Sequence, residues 1–332
     1  MIPMIPPPVR LIGCTIELHQ GSCRRCRAKY PCKAHKGRRR NRAMIKTILV
    51  RASDDESDSA TYAAARCVAR RFGAHIDGLH VRLDPVEVAV AMSTEGAGGT
   101  LLQGIIDSLE RDADAGEAKA RSRFMTFCSD ADVAFIADPA KSVERPSAMF
   151  HVETGQVARW VCAYGRASDL VIASRGVPGG DAVARSTLEA ALLETGRPLL
   201  IPAAAMPAPE LADRVAIAWK ATPEAARALA FAMPFLAHAA ELTILTVEED
   251  DGQRDENTRL VRYLGWHGIT AHTEQLTPGP DGAAATLLAA AKAKSGLLVM
   301  GGYGHTRLRE WVFGGFTQYA LDHAELPVLM AH

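Results

Sequence analysis

From Lys46 onward, short apolar runs alternate with longer stretches whose apolar residues recur at helical spacing. KTILVRA is a continuous apolar run with β-branched members and reads as a strand. SATYAAARCVARRFGA repeats its apolar positions every three to four residues and reads as a helix, and HIDGLHVRL is a strand again. Crossovers of this length join parallel strands. A more polar stretch follows, with STEGAGGT and the helix LLQGIIDSLERDADAGEAKARSRFMTFCSD, and then ADVAFIA reads as a third strand. Beyond RPSAMFHV the pattern predicts the helix ETGQVARWVCAYGRA, the strand DLVIAS, the helix AVARSTLEAALLETG and the strand PLLIPA. Five strands are thus expected in this part of the chain.

The cycle then restarts. AAAMPAPELADR carries Pro207 and Pro209 between apolar strands and reads as a linker at 203–213. RVAIAWK, ELTILTV, ITAHTEQL, GLLVMGG and PVLMAH are the next five strands, separated by helical stretches. ASDLVIAS corresponds to KSGLLVMG in position and character, as GRPLLIPA does to ELPVLMAH, so the chain is an internal duplication. The expected organisation is a tail at 1–43, a first α/β domain at 44–202, the linker, and a second α/β domain at 214–332.

Length and composition agree with two domains. The chain has 332 residues, 48% of them apolar and 23% charged, as in ordinary globular proteins. No run approaches the ~20 apolar residues of a membrane span. VRLIGCTIEL is short, carries Arg10 and Glu17, and precedes no small-residue cleavage site, so the expected location is cytoplasmic, with no membrane partner. The formal net charge of zero hides an asymmetry: residues 1–43 carry +10 and the remainder −10. An acidic body disfavours nucleic acid, because that affinity comes from neutralising phosphates, and leaves only the basic tail to supply it. Cys67, Cys128 and Cys162 are scattered and make no disulfide framework. In the tail, CRRCRAKYPCKAH offers Cys23, Cys26, Cys32 and His35 as zinc ligands, but without the second knuckle of a zinc ribbon. The main reading is therefore a disordered basic segment, compatible with translation starting downstream at Met44, and no metal site is assigned.

Candidate chemistry concentrates in MGGYGHTRLREWVFGGFTQYA, Met300 to Ala320. In a doubly wound sheet, ligands bind beyond the C-terminal strand ends, where strand order reverses. Gly301, Gly304, Gly314 and Gly315 allow backbone amides to turn toward an anion, and a helix beginning at the last pair adds its N-terminus. Thr317 can cap that helix or contact phosphate, and His305 and Arg307 add positive charge. Glycine after a strand is equally compatible with plain turn chemistry, and no G-K-[ST] of a Walker loop is present. In the duplicated copy, Ala173, Gly176, Ser186 and Thr187 fall against Gly301, Gly304, Gly314 and Gly315, so three of the four glycines are absent there.

Gly301-x2-Gly304-x9-Gly314, after the fourth strand of a five-strand repeat and ahead of a short helix and PVLM, resembles the G-x2-G-x9-G-[ST] loop of the universal stress protein family. The resemblance covers 44–332 as two tandem copies. It implies two doubly wound, Rossmann-like domains of the adenine nucleotide alpha-hydrolase-like class. Each has a five-stranded parallel sheet in the order 3-2-1-4-5, and the two pack as a pseudo-dimer through their last strands; a homodimer of the whole chain is a further possible assembly. It also implies ATP or AMP as the ligand, with phosphates and ribose in the loop. The base is met by an Asp at the end of the first strand and by backbone of the second. In this sequence the Asp falls on Lys220, with Thr222 near the usual Ser, Val247 at the end of the second strand, and Gly315 in place of Ser or Thr. In the first copy Ser53 or Asp54 stands at the Asp position, and that copy is expected not to bind nucleotide. The leading function is a stress-response protein that binds rather than turns over its ligand, with no catalytic residue assigned. The alternatives are a nucleotide hydrolase or transferase using the same loop, for which Glu310 is a weak candidate acid, and a ligand-free interaction module.

Overall fold

The computed structural model describes residues 45–54, 58–92, 99–138, 145–175, 182–203, 211–247, 253–302 and 315–332. The cysteine-bearing tail, and Gly304, His305, Arg307, Glu310 and Gly314 of the glycine loop, lie outside the described residues. The first half runs β1 (Thr47–Arg51), α1 (Asp58–Phe72), β2 (His75–Arg82), α2 (Pro85–Met92), α3 (Gly99–Asp130), β3 (Ala134–Phe135), β4 (Ser147–Thr154), α4 (Val157–Gly165), β5 (Leu170–Ile172), α5 (Ala182–Glu194) and β6 (Leu199–Ile201). The second half runs β7 (Arg214–Ala218), α6 (Pro223–Leu236), β8 (Glu241–Val247), α7 (Gln253–Trp266), β9 (His272–Leu276), α8 (Gly282–Lys294), β10 (Leu297–Gly301), α9 (Gly315–His323) and β11 (Val328–Ala331).

All strands join one sheet in the order β3-β4-β2-β1-β5-β6-β11-β10-β7-β8-β9. The second half has the expected order 3-2-1-4-5. The first half has the same order with one correction: SAMFHVET, not ADVAFIA, is its third strand. β4 pairs with β2 over eight residues, from His75 against Ser147 to Arg82 against Thr154, whereas ADVAFIA supplies only two exposed edge residues. An edge strand with no buried face gains little from longer pairing, so the alternating segment holds the inner position. The first half therefore contributes six strands, and α4 begins at Val157 because Glu153 and Thr154 belong to β4.

The halves meet at an antiparallel seam, Val328 against Ile201, Leu329 against Leu200 and Met330 against Leu199. All six side chains are fully buried, which accounts for the apolar character of both last strands. Two cores, one on each face of the sheet, run through both halves. On one face α1, α3, α6 and α7 pack on the strands, with Phe72 edge-on to Phe235 across the halves at 5.3 Å. On the other, α4, α5, α8 and α9 cover Leu199, Ile201, Met300, Val328 and Met330. Gly78 in β2 is needed for the first core: a Cβ there would lie 2.5 Å from the Phe124 ring, which rests on the strand.

Candidate functional site

Register places the expected ligand residues of the second half together. Ala218 of β7 is paired with Leu245 of β8 and with Met300 of β10. Two residues beyond these paired positions come Lys220, Val247 and Gly302, at or just past the C-terminal ends of their strands. Here strand order reverses between β7 and β10, the position where an open α/β sheet forms a crevice. Lys220 is exposed, and Val247 is half-buried at the end of β8.

Local chemistry assigns several of these residues a structural task. Thr222 is the N-cap of α6, its hydroxyl accepting from the Ala225 N–H at 3.3 Å, and Pro223 follows at the first helical position. Gly301 is a packing glycine: a Cβ there would sit 2.6 Å from Ala225 N and 2.9 Å from Glu224 Cβ, so the first turn of α6 lies directly on the strand end. At Gly302 a Cβ would meet Leu192 Cδ2 of α5 at 2.9 Å, so a side chain of the first half packs against the second half's loop. The Gly302 N–H donates to the Ala331 carbonyl at 2.9 Å, and His332 Nδ1 lies 3.2 Å from the Gly302 carbonyl. Gly315 begins α9 and is exposed, with no described atom near its would-be Cβ, while Thr317, two residues further on, is buried. Glu224 is paired with Arg227 at 2.9 Å. Burial alone would raise its carboxyl pKa, but its own N–H, the Thr222 hydroxyl and the charges of Arg227 and His332 hold it below the usual range.

A sequence model of the universal stress protein family matches residues 212–332. The C-terminal half is a universal stress protein domain. No curated protein matches the chain in sequence. Among solved structures, the chain is similar to a universal stress protein from Archaeoglobus fulgidus, at 16% identity and a TM-score of 0.62, over 86% of this chain and 97% of that one. It is similar also to a Pseudomonas aeruginosa protein named for the same family, at 14% identity and a TM-score of 0.50, over 86% of this chain and 93% of that one. The shared coverage extends through both halves, so the universal stress protein fold occurs twice.

In the first of these universal stress protein folds, Ser53, Ser186 and Thr187 are tied up internally. Ser53 Oγ donates to Asp58 Oδ2 at 2.9 Å, and its N–H donates to the same oxygen. Burial raises the Asp58 pKa, opposed by these bonds from Ser53 and by the charges of Arg51 and Arg123. Asp54 is exposed and Ala173 is buried. The hydroxyls of Ser186 and Thr187 donate back to the Val183 carbonyl, because α5 begins at Ala182 rather than at their position. Arg175 crosses to the second half and donates to the Ala324 carbonyl at the C-terminal end of α9. Gly176 lies outside the described residues.

One polar cluster escaped the sequence reading. On β2 and β4, Asp77 Oδ1 lies 2.8 Å from His151 Nε2 and 3.5 Å from His75 Nε2, while His75 Nδ1 lies 2.8 Å from Ser147 Oγ. Burial would raise the Asp77 pKa, but hydrogen bonds from both imidazoles and their charge lower it to about 2. Ser147 is buried at 1% exposure, so the serine, histidine and aspartate are a closed structural network rather than an accessible nucleophile. Finding it required placing SAMFHVET beside HIDGLHVR. His80 is a satisfied core histidine, with Nδ1 2.9 Å from the Ala52 carbonyl. Trp160 and Trp219 pack on the two cores, and Cys67, Cys128 and Cys162 are unpaired thiols. Among the described residues no three His, Cys, Asp or Glu side chains are grouped to hold a metal ion, and no helix is long and apolar enough to cross a membrane.

Proposed function

We propose that the C-terminal domain binds an adenine nucleotide, ATP or AMP, by its phosphates and acts in a cytoplasmic stress response through binding rather than turnover. The observation that supports this reading is the position of Lys220, Val247 and Gly302 at or just past the strand ends at the switch point, together with a later helix whose first residue is glycine. Lys220, exposed at the position where the resemblance puts the base-contacting Asp, brings positive charge to the mouth of the crevice. Turnover needs a carboxylate able to hold a metal ion beside the phosphates. The acid described at this crevice, Glu224, is instead engaged by Arg227 and the first turn of α6.

The test uses the full chain. Nucleotide that co-purifies is released and identified, and ATP, ADP and AMP are titrated calorimetrically against the unmutated protein and the Gly304→Val and Lys220→Glu variants. Saturable binding that both substitutions weaken, with no release of phosphate, is the expected result. Absence of binding at millimolar nucleotide would overturn the ligand claim. It would favour an interaction module, a reading supported by the packing roles of Gly301 and Gly302.

A further inference from the structure

The first half carries a cleft away from its strand ends. Between α1 and α3, on the outer side of the first core, lies a cavity of about 440 Å³, within the size range of small-molecule sites. Helical spacing produces its walls. Ser59, Tyr62 and Arg66 lie at i, i+3 and i+7 on one face of α1, and Ser122, Arg123 and Thr126 share the facing side of α3. The floor is aromatic, because Tyr62 stacks on Phe127 with ring centroids 4.8 Å apart.

Among the described residues, two guanidinium groups, Arg66 and Arg123, and one carboxylate, Asp130, line the cleft, with the buried Asp58 carboxylate within electrostatic reach of Arg123. Among the described residues Arg123 Nε is buried without a hydrogen-bond partner. A buried donor of this kind is costly unless an acceptor reaches it. The nearby Asp58 carboxylate is taken by the N–H and hydroxyl of Ser53. Three further hydroxyls, on Ser59, Ser122 and Thr126, line the same cavity. This donor set matches a group with several strongly accepting oxygens, and an arginine pair suits phosphate in particular. The stacked rings beneath provide an apolar surface for the body of the ligand.

We infer that the cleft between α1 and α3 is a second ligand site, taking a small phosphate monoester with its phosphoryl group between Arg66 and Arg123. The site belongs to the half of the chain that does not contain the glycine loop, so it stands or falls independently of nucleotide binding there.

Phenyl phosphate is the probe, with phenol as the uncharged control, titrated against the full chain by calorimetry and by ligand-observed NMR. The Lys220→Glu background removes the contribution of the other crevice. Saturable binding of phenyl phosphate but not phenol is expected, retained in Lys220→Glu and weakened at least tenfold by Arg66→Met. Arg66 is exposed, so that variant keeps its fold; Arg123→Met is the second variant, accepted once its circular dichroism matches the parent. Arg197→Met, at a half-buried arginine bonded to the Arg166 carbonyl, serves as the control and leaves binding unchanged. No saturable binding at 10-fold molar excess up to about 10 mM, a threshold at the weak end of measurable affinities, would overturn the inference. So would equal affinity in the Arg66→Met variant, or loss of binding in Lys220→Glu alone.

Discussion

Replacing Gly301 by alanine separates packing from ligand chemistry at the strand end. The added Cβ would stand 2.6 Å from Ala225 N, 2.8 Å from the Glu224 carbonyl carbon and 2.9 Å from Glu224 Cβ, all in the first turn of α6. Even a tight contact of 3.4 Å requires that turn to withdraw by about 0.8 Å, yet it is fixed by the Thr222 cap and by buried Ala225 and Ala228. Overpacking of this kind costs about 1–3 kcal/mol. In a cooperative unit of this size each kcal/mol lowers the melting temperature by roughly 2–4 °C, so Gly301→Ala is expected to lose several degrees. Gly315→Ala is the matched control: Gly315 is exposed, no described atom lies within 4 Å of the added Cβ, and at the first position of a helix the exchange changes stability little. Thermal melts followed at 222 nm, with urea titrations for the free-energy difference, compare the two variants. A Gly301→Ala protein as stable as its parent, or a larger loss in Gly315→Ala, would refute the assignment of Gly301 to packing.

Leu192→Ala and Gly302→Ala test the contact between halves: the first is expected to cost about 2–5 kcal/mol by leaving a cavity. The double variant should cost less than the sum of the two, because the new Cβ occupies part of the vacated space; strict additivity in urea titrations would show that the two do not meet. Asp77→Asn addresses pH. The folded Asp77 pKa of about 2 lies below the unfolded value of 3.8, so its contribution of about 2 kcal/mol is present above pH 4 and lost as pH falls toward 2. The stability gap between parent and variant should therefore close over that interval, and a gap independent of pH would contradict the ion-pair account. Thr222→Ala removes the cap of α6 and is expected to cost about 1 kcal/mol, with Thr222→Ser restoring most of it in the same titration.

Much of the fold was legible because its signals are local. Strands buried on both faces read as continuous apolar runs, as in LLVMG and TILVR, and the helices between them carry their own period. Duplication was visible because both copies keep those runs in step. The third strand of the first half was misread for a physical reason: ADVAFIA has the more apolar composition, but pairing with β2 rewarded alternation in SAMFHVET. The candidate site was legible as a set of positions and less so as a set of roles. Sequence spacing marked Lys220, Thr222, Val247 and the glycines, and register brought the described ones to one crevice.

The sequence by itself determined that this chain repeats an α/β unit, where all but one of the expected strands fall, and that the second copy retains a glycine-rich stretch, since these depend on residue type and period alone. Only the tertiary structure decided what individual residues do. A glycine after a strand has the same letter whether it faces a ligand, a helix or solvent; Gly301 lies under α6, Gly302 lies under Leu192 of the other half, and Gly315 is exposed. Asp77 and His151, 74 residues apart, became partners because parallel pairing of β2 and β4 sets their side chains on one face. Arg66 and Arg123 share a cleft because two helices from different crossovers pack on the same side of the sheet. Such relations arise from long-range packing, which no local pattern encodes.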